Sequence, residues 1–102
     1  MPKAYVVAEI QVHNPDGYAD YRALSTACVA QYGGKWLARG GERIQLEGGD
    51  ERHNENWRSV VIEFPSLQQA RAWYASPEYS HAKEIRQANS IGRLFIVEGV
   101  PD

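Results

Sequence analysis

The first part of the chain alternates between apolar and polar positions. In residues 4–13 the even-numbered positions from Ala4 to Val12 are apolar. The later odd-numbered positions are polar, namely Glu9, Gln11 and His13. Alternation with a period of two predicts a strand that buries one face. Residues 57–64 repeat this pattern and predict a second such strand, whose apolar side consists of Val60, Ile62 and Phe64.

A helix is predicted between these two strands. Asn14 is a suitable cap, Pro15 suits the first helical position, and Asp16 favours the positive end of a helix. The helix is expected to run to about Tyr32, where Gly33-Gly34 supplies the positive φ that ends it. At 3.6 residues per turn one stripe faces the core. Its members are Tyr18, Tyr21, Leu24, Ser25, Cys28 and Tyr32.

The remaining segments complete the order βαββαβ. Further extended segments are expected at residues 35–39, 43–47 and 91–100, with a polar hairpin tip at residues 51–56. Ser66 with Gln69 predicts a capping box that opens a helix through Ala75, and Ser76-Pro77-Glu78 restarts this helix after a kink or split. The order predicts one α+β domain over residues 1–102, a ferredoxin-like four-stranded antiparallel sheet with two helices on one face.

This topology leaves one face of the sheet without cover. Right-handed crossovers place both helices on the same face, and we expect the first and third strands to be parallel neighbours in the centre. A four-stranded sheet with a bare face usually needs a partner, and a second copy of the chain is the simplest one. We therefore expect a homodimer.

Composition narrows the classes of partner. The 102 residues fit one domain, and a formal net charge of −2 provides no basic field for nucleic acid or an anionic membrane. No apolar run approaches the length of a transmembrane span, and the first residues do not resemble a signal peptide. Cys28, the one cysteine, cannot form an internal disulfide. Together these features predict a cytoplasmic protein.

Several motifs, taken in order, resemble a known family. They are Tyr32-Gly33-Gly34, Arg39-Gly40-Gly41, Glu63-Phe64-Pro65-Ser66, and Ala70-Arg71-Ala72-Trp73-Tyr74 running into Ser76-Pro77-Glu78-Tyr79. Over essentially its whole length the chain resembles the bacterial domain of unknown function 1330 family, within the dimeric α/β-barrel superfamily. The resemblance implies a ferredoxin-like fold and homodimers. It implies no agreed activity, because the superfamily includes quinone-forming monooxygenases, haem-degrading proteins, muconolactone isomerases and stress-response proteins.

The sheet face opposite the helices is the first candidate site. Strand parity assigns it Glu9, Gln11, His13, Arg39, Ser59, Glu63 and Glu98. If the first and third strands are parallel neighbours, His13 and Glu63 lie at matching ends, where a carboxylate can raise the proton affinity of an imidazole and create a general base. Arg39 can hold a carboxylate or an enolate oxygen. The alternative is a dimer interface whose charges pair across the two-fold axis.

The aromatic residues form the second candidate site. One group on the first helix and one group at the second helix can both border the space between sheet and helices, where superfamily relatives bind planar ligands. These groups are Tyr18, Tyr21 and Tyr32, and Trp73, Tyr74 and Tyr79. The alternative is that the rings only fill the core. A pocket with ring walls and with Arg39 or Glu63 at its mouth is the predicted ligand site.

These residues support three hypotheses about function. No spacing typical of a nucleotide, flavin, zinc or redox-disulfide site is present, and Cys28 is expected to be a core thiol, so we predict no cofactor and no metal. The main hypothesis is a homodimer that binds a small, partly apolar or aromatic metabolite. The first alternative is a cofactor-independent isomerase or monooxygenase with His13 or Glu63 as general base. The second alternative is a structural or interaction protein.

Overall fold

Seven elements make up the described part of the chain, residues 2–48 and 57–101 of a computed structural model. They are β1 (Ala4–Val12), α1 (Pro15–Gln31), β2 (Lys35–Arg39), β3 (Trp57–Phe64), α2 (Leu67–Ala75), α3 (Pro77–Asn89) and β4 (Ser90–Glu98). The predicted order is confirmed, with the second helix split into α2 and α3. Residues 43–47 do not form a strand, and the hairpin tip predicted at residues 51–56 lies outside the described residues. No described helix is long and apolar enough to cross a membrane.

The four strands form one sheet in the order β2-β3-β1-β4, and all neighbouring strands are antiparallel. The predicted antiparallel ferredoxin-like sheet is confirmed, but the expectation that β1 and β3 are parallel is wrong. In a split βαβ unit, the crossover helix joins two parallel strands that have a third strand inserted between them. β1 is therefore parallel to β2, and β3 runs between them in the opposite direction. Ala4 pairs with Phe64 at one end, and Gln11 pairs with Trp57 at the other.

The alternation in β1 and β3 determines which face of the sheet is buried. The buried residues beneath the helices include Val6, Ala8, Ile10, Ile62 and Phe64, which confirms the predicted parity. Val60 shares this face and is partly buried against the same core. The predicted stripe of α1 is buried at Tyr18, Tyr21, Ser25 and Cys28, and α1 also buries Val29.

Local signals in the sequence set the helix ends. Gly33 has a φ of 80° and follows the C-cap of α1, a conformation that is unfavourable for residues with a Cβ. The Ser66 hydroxyl accepts a hydrogen bond from the Gln69 N–H at 3.1 Å, as the capping box predicts. The Ser76 hydroxyl accepts one from the Tyr79 N–H at 3.1 Å and begins α3. The break before Pro77 therefore has its own cap.

A bulge in β2 changes the direction of its side chains. Trp36 pairs with Ile62, and Ala38 pairs with Val61, the residue before Ile62 in the antiparallel β3, so Leu37 is an extra residue. An extra residue reverses the alternation beyond it. Arg39 consequently shares the helix-facing side of the sheet with Trp36. The expectation that Arg39 lies on the open face is wrong, because that expectation assumed uninterrupted alternation.

The open face of the sheet is mostly apolar at its centre. Its positions on β1, β3 and β4 include Tyr5, Val7, Val61, Phe95 and Val97. Phe95 and Val97 are each almost half exposed. Glu98 pairs with Ala4 and therefore belongs to the helix-facing side, so its predicted place on the open face is also wrong. Both parities of β4 carry large apolar residues, Phe95 and Val97 on one and Leu94 and Ile96 on the other, so alternation alone does not identify its buried side.

Candidate functional site

The predicted cluster of His13, Glu63 and Arg39 does not form. Because β1 and β3 are antiparallel, Glu63 pairs with Tyr5 near the start of β1, whereas His13 follows the end of β1. At about 3.4 Å per residue, the chain from Tyr5 to His13 extends about 27 Å along the strand. Arg39 faces the helices. A general base that combines His13 with Glu63 is therefore not available within one chain.

Charged residues on the open face pair with one another inside the chain. Glu9 Oε2 lies 3.4 Å from Arg93 Nη2, and Glu63 Oε1 lies 3.7 Å from Lys3 Nζ. Exposed pairs of this kind contribute little to stability. They do neutralise the two carboxylates locally, and neither carboxylate faces a cavity between the sheet and the helices.

A pocket lies between the helix-facing side of the sheet and α1. Its floor consists of aliphatic side chains of β1, β3 and β4. Its aromatic lining residues are Tyr18, Tyr21, Trp36 and Trp73, and its polar side chains are Arg22, Ser25, Arg39 and Arg58. The cavity volume is about 30 Å³, enough for water. Sites that hold organic ligands usually measure about 300–1,000 Å³, so ligand entry requires side chains to move.

Trp73 lines this pocket and also packs against two other buried aromatic rings, those of Tyr79 and Phe64. Its ring centroid lies 4.3 Å from that of Tyr79 and 5.4 Å from that of Phe64. The indole Nε1 is buried and has no hydrogen-bond partner among the described residues. A buried donor without a partner costs about 1–3 kcal/mol. A ligand atom that accepted a hydrogen bond from this indole would remove that cost.

Arg39 bridges β2 and α1 at the pocket. Its Nη1 donates to Thr26 Oγ1 at 2.7 Å, and its Nη2 donates to the carbonyl oxygen of Arg22 at 3.0 Å. The guanidinium carbon lies 3.8 Å from the centroid of the Trp36 ring, a cation–π distance. Burial, followed by the positive charge of Arg22, lowers the pKa of Arg39. Each of these hydrogen-bond acceptors is neutral.

Arg58 places a second guanidinium beside the first. It pairs with Ile10 and therefore points to the helix-facing side. A Cβ built on Gly40 would lie 3.0 Å from Arg58 Nη2, so the guanidinium packs closely against the glycine. Gly40 also has a φ of 72°, which a side chain would strain. The glycine that follows Arg39 therefore leaves room for Arg58.

Acidic and imidazole groups are missing from the described lining of this pocket. None of these lining residues is aspartate, glutamate or histidine. Burial is the main cause that raises the pKa of Tyr18 and that of Tyr21, so both phenols stay neutral and can donate hydrogen bonds. Within residues 2–48 and 57–101, no three His, Cys, Asp or Glu side chains are grouped closely enough to hold a metal ion. The pocket offers cations and donors, and its described lining offers no carboxylate or imidazole as a general base.

The structure brings some of the residues predicted to bind a ligand into one pocket and places the others elsewhere. Tyr18, Arg39 and Trp73 line the pocket. Tyr32 lies at the end of α1, where its hydroxyl donates to Glu78 Oε2 at 2.9 Å, and this hydrogen bond raises the pKa of Tyr32. Glu9 lies on the open face beside Arg93. Tyr32 and Glu9 therefore do not belong to the site that the other three residues share.

Three pocket residues were not identified from the sequence. Arg58 has the same parity as Val60, so strand alternation carried a signal that could have found it. Trp36 and Arg39 share a face only because of the bulge in β2, and no local sequence feature marks that bulge. Arg22 follows Tyr21 on α1 and was overlooked because charged helix residues usually face solvent.

Comparison with known proteins agrees with this fold. The family model described as "Domain of unknown function (DUF1330)" matches residues 3–100. No curated protein matches the sequence. RPA0582, a protein of unknown function from Rhodopseudomonas palustris, is similar in structure, with a TM-score of 0.76 and 21% identity over 99% of this chain and 85% of that chain.

Two other solved structures share the fold at lower identity. SnoaB from Streptomyces nogalater, described as a cofactor-independent oxygenase, has a TM-score of 0.68 and 16% identity, covering 100% of this chain and 97% of its own. A conserved protein from Methanosarcina mazei Go1 has a TM-score of 0.61 and 14% identity, covering 98% and 95%. Likeness at this identity shows the fold alone. The match of the family model over nearly the whole chain shows that this protein belongs to the DUF1330 family, and the structure gives it a ferredoxin-like fold.

Proposed function

We propose that this protein binds a small, partly apolar or aromatic metabolite in the pocket between the sheet and α1. The observation that carries the proposal is the set of four rings around an aliphatic floor, together with the buried Trp73 Nε1 that lacks a partner among the described residues. Apolar walls with a few polar groups are typical of sites for small molecules. Three arginines also line this pocket, and a core that only filled space would not need charged side chains there.

A ligand can enter if the two lining side chains that belong to β2 move. Trp36 and Arg39 belong to β2, which is an edge strand and the shortest strand of the sheet. Both side chains are partly exposed. Rotation of these two side chains widens the pocket without breaking the central pairing of β1 and β3. The small cavity therefore represents the closed form of the site.

Binding explains this geometry better than base catalysis. The cofactor-independent oxygenase SnoaB shares the fold, yet its low identity carries no activity across. The alternative of an isomerase or monooxygenase required His13 or Glu63 as general base. His13 is exposed, and Glu63 lies on the opposite face of the sheet from the pocket.

The homodimer belongs to the same proposal. A second copy of the chain would cover the apolar centre of the open face, around Phe95 and Val97. Sheets that pack face to face lie about 10 Å apart, with interdigitating apolar side chains. The charged residues around this centre already pair within the chain, so stacking two sheets leaves no unpaired carboxylate from those pairs at the interface. The pocket lies on the other side of the sheet, so such a dimer would not cover it.

The three tryptophans allow a direct test. Trp36 and Trp73 line the pocket, whereas Trp57 pairs with Gln11 and therefore belongs to the open-face parity. Benzoate is titrated into protein labelled with nitrogen-15, and the three indole signals are followed by NMR. We expect the signals of Trp36 and Trp73 to shift in a saturable way while that of Trp57 stays in place. Shifts confined to Trp57, or no saturable shift at all, would contradict the proposed site.

A further inference from the structure

The pocket concentrates positive charge in a chain that is negative overall. The formal net charge is −2, yet three arginines line the pocket and no acidic residue is among its described lining. A fourth arginine, Arg86, is only 7% exposed and lies outside this lining, and its charge opposes the rise in the pKa of Tyr18 and Tyr21. Its Nε has no hydrogen-bond partner among the described residues. A general excess of basic residues does not explain this arrangement.

Positive charge in a half-buried position is costly without a counterion. Burial and the neighbouring charge of Arg22 both lower the pKa of Arg39, which means that its surroundings disfavour its charge. Within the described residues, neither Arg39 nor Arg58 forms an ion pair. Buried charges are normally paired. An anion that entered the pocket would supply a negatively charged partner to both guanidiniums at once.

The present contacts of Arg39 can be exchanged for those of an anion. Thr26 and the carbonyl of Arg22 are neutral acceptors on the exposed side of α1, and water can replace Arg39 at both. Hydrogen bonds from arginine to a carboxylate are stronger than those to neutral acceptors, and they are often bidentate. Stacking on Trp36 keeps the guanidinium plane close to the ring while its hydrogen bonds change.

We infer that the ligand is an organic anion with a planar, ring-bearing body, whose carboxylate is held by Arg39 and Arg58 while its ring lies among Trp36 and Tyr18. This inference rests on the proposed function, since it assigns the chemical class of the ligand to the same pocket. Arg39 acts both as the closing side chain and as the carboxylate contact. Neutral aromatic compounds lack the group that draws Arg39 away from α1.

The test compares two probes that differ in charge and little in shape. Benzoate and benzamide are titrated separately, and dissociation constants are taken from the shifts of the Trp36 and Trp73 indole signals. We expect benzoate to bind wild-type protein at least about tenfold more tightly than benzamide, the lower end of what a charge-assisted hydrogen bond contributes. We also expect added salt to weaken benzoate binding and to leave benzamide binding unchanged.

Two variants and a matched control assign this preference to the arginines. Arg39→Gln and Arg58→Gln each keep a hydrogen-bond donor and remove the charge, and each is expected to weaken benzoate binding about tenfold or more. Arg71→Gln removes one charge from the exposed face of α2, outside the pocket, and is expected to change nothing. Having two variants on different strands keeps the test valid if one of them folds poorly.

The outcomes separate this inference from the proposed function. Equal affinity for benzoate and benzamide, with shifts at Trp36 and Trp73, would contradict the inference that the ligand is an anion. The pocket would still be a binding site. A preference for benzoate that is lost equally in Arg71→Gln would place the charge effect outside the pocket and overturn the inference as well. Binding of neither probe would contradict the proposed function itself.

Discussion

At the scale of single residues, environment matters more than residue type. Tyr21 and Tyr32 lie on the same helix, but Tyr21 shares a buried hydrogen bond with Tyr79, the two hydroxyl oxygens being 2.7 Å apart. Tyr32 instead donates to an exposed carboxylate, that of Glu78. The sequence predicted that Tyr18 and Tyr21 face the core, since helical spacing determines the face. It could not predict the hydroxyl partners, because these come from α3, which is distant along the chain.

The buried tyrosine pair predicts a loss of stability at alkaline pH. Burial raises the folded-state pKa of Tyr21 and of Tyr79 above the usual value of 10.0. Above about pH 10 the unfolded chain releases phenolic protons that the folded chain retains. The free energy of unfolding is therefore at its full value below pH 10 and falls as the pH rises further.

Urea denaturation between pH 8 and pH 11 measures this loss. For wild type, each of the two phenols contributes a slope of up to about 1.4 kcal/mol per pH unit above pH 10. Tyr21→Phe removes one titrating group and should make the slope shallower, in addition to any constant offset in stability. Identical slopes for the two proteins would show that Tyr21 does not titrate differently in the folded and unfolded states.

At the scale of elements, caps could be read from the sequence and strand irregularities could not. Ser66 is a local signal, and the hydrogen bond that its capping box predicts is present. Ser76, which was expected only to restart the helix, accepts a corresponding hydrogen bond from Tyr79. The bulge at Leu37 depends on how β2 meets β3, which no window of the sequence contains. That one extra residue moved Arg39 from the open face to the pocket. The error about β1 and β3 was topological, since the split βαβ unit reverses the direction of neighbouring strands.

Ser76 lies at the junction of α2 and α3, and its substitution tests how much the cap of α3 contributes to stability. Its hydroxyl accepts from the Tyr79 N–H at 3.1 Å and donates to the Trp73 carbonyl at 2.7 Å, and the residue is buried. Ser76→Ala should lower the free energy of unfolding by about 1–2 kcal/mol, because it removes the hydroxyl that caps α3, while the Trp73 carbonyl keeps its hydrogen bond from the Ser76 N–H at 3.2 Å.

Ser80→Ala is the matched control for this substitution. The Ser80 hydroxyl donates to the Ser76 carbonyl at 2.9 Å from an exposed position within α3. Its loss should change stability by no more than about 0.5 kcal/mol. If urea denaturation gives equal effects for both variants, the cap at Ser76 contributes nothing special and the split between α2 and α3 has another cause.

At the scale of the whole molecule, the two faces of the sheet have different roles. The helix-facing side holds the core and the pocket, and the open side presents an apolar centre that we propose is covered by a second copy of the chain. Strand alternation separated the two sides of β1 and β3 correctly, because their apolar residues are unambiguous. The polar residues of the open face are conspicuous in the sequence and suggest a site there, yet Glu9 and Glu63 form ion pairs with Arg93 and Lys3 within the chain.

Sedimentation tests the role of the open face. At micromolar concentration we expect twice the 11.5 kDa chain mass. Val97→Lys places a charge at a half-exposed position of the apolar centre and should shift the protein towards monomer. Val100→Lys changes a position beyond β4 that is 85% exposed and should leave the dimer intact. A wild-type monomer would show that no such dimer forms. A dimer that Val97→Lys does not affect would show that the interface lies elsewhere.

The central claim is that a planar organic anion occupies the pocket between the sheet and α1. The most direct measurement is a crystal structure of the protein grown with benzoate. We expect electron density for the ring beside Trp36 and Tyr18, with the carboxylate within hydrogen-bond distance of Arg39 and with Arg39 released from Thr26. Benzoate bound on the open face, or a pocket that stays closed at saturating benzoate with Arg39 still bonded to Thr26, would contradict this account.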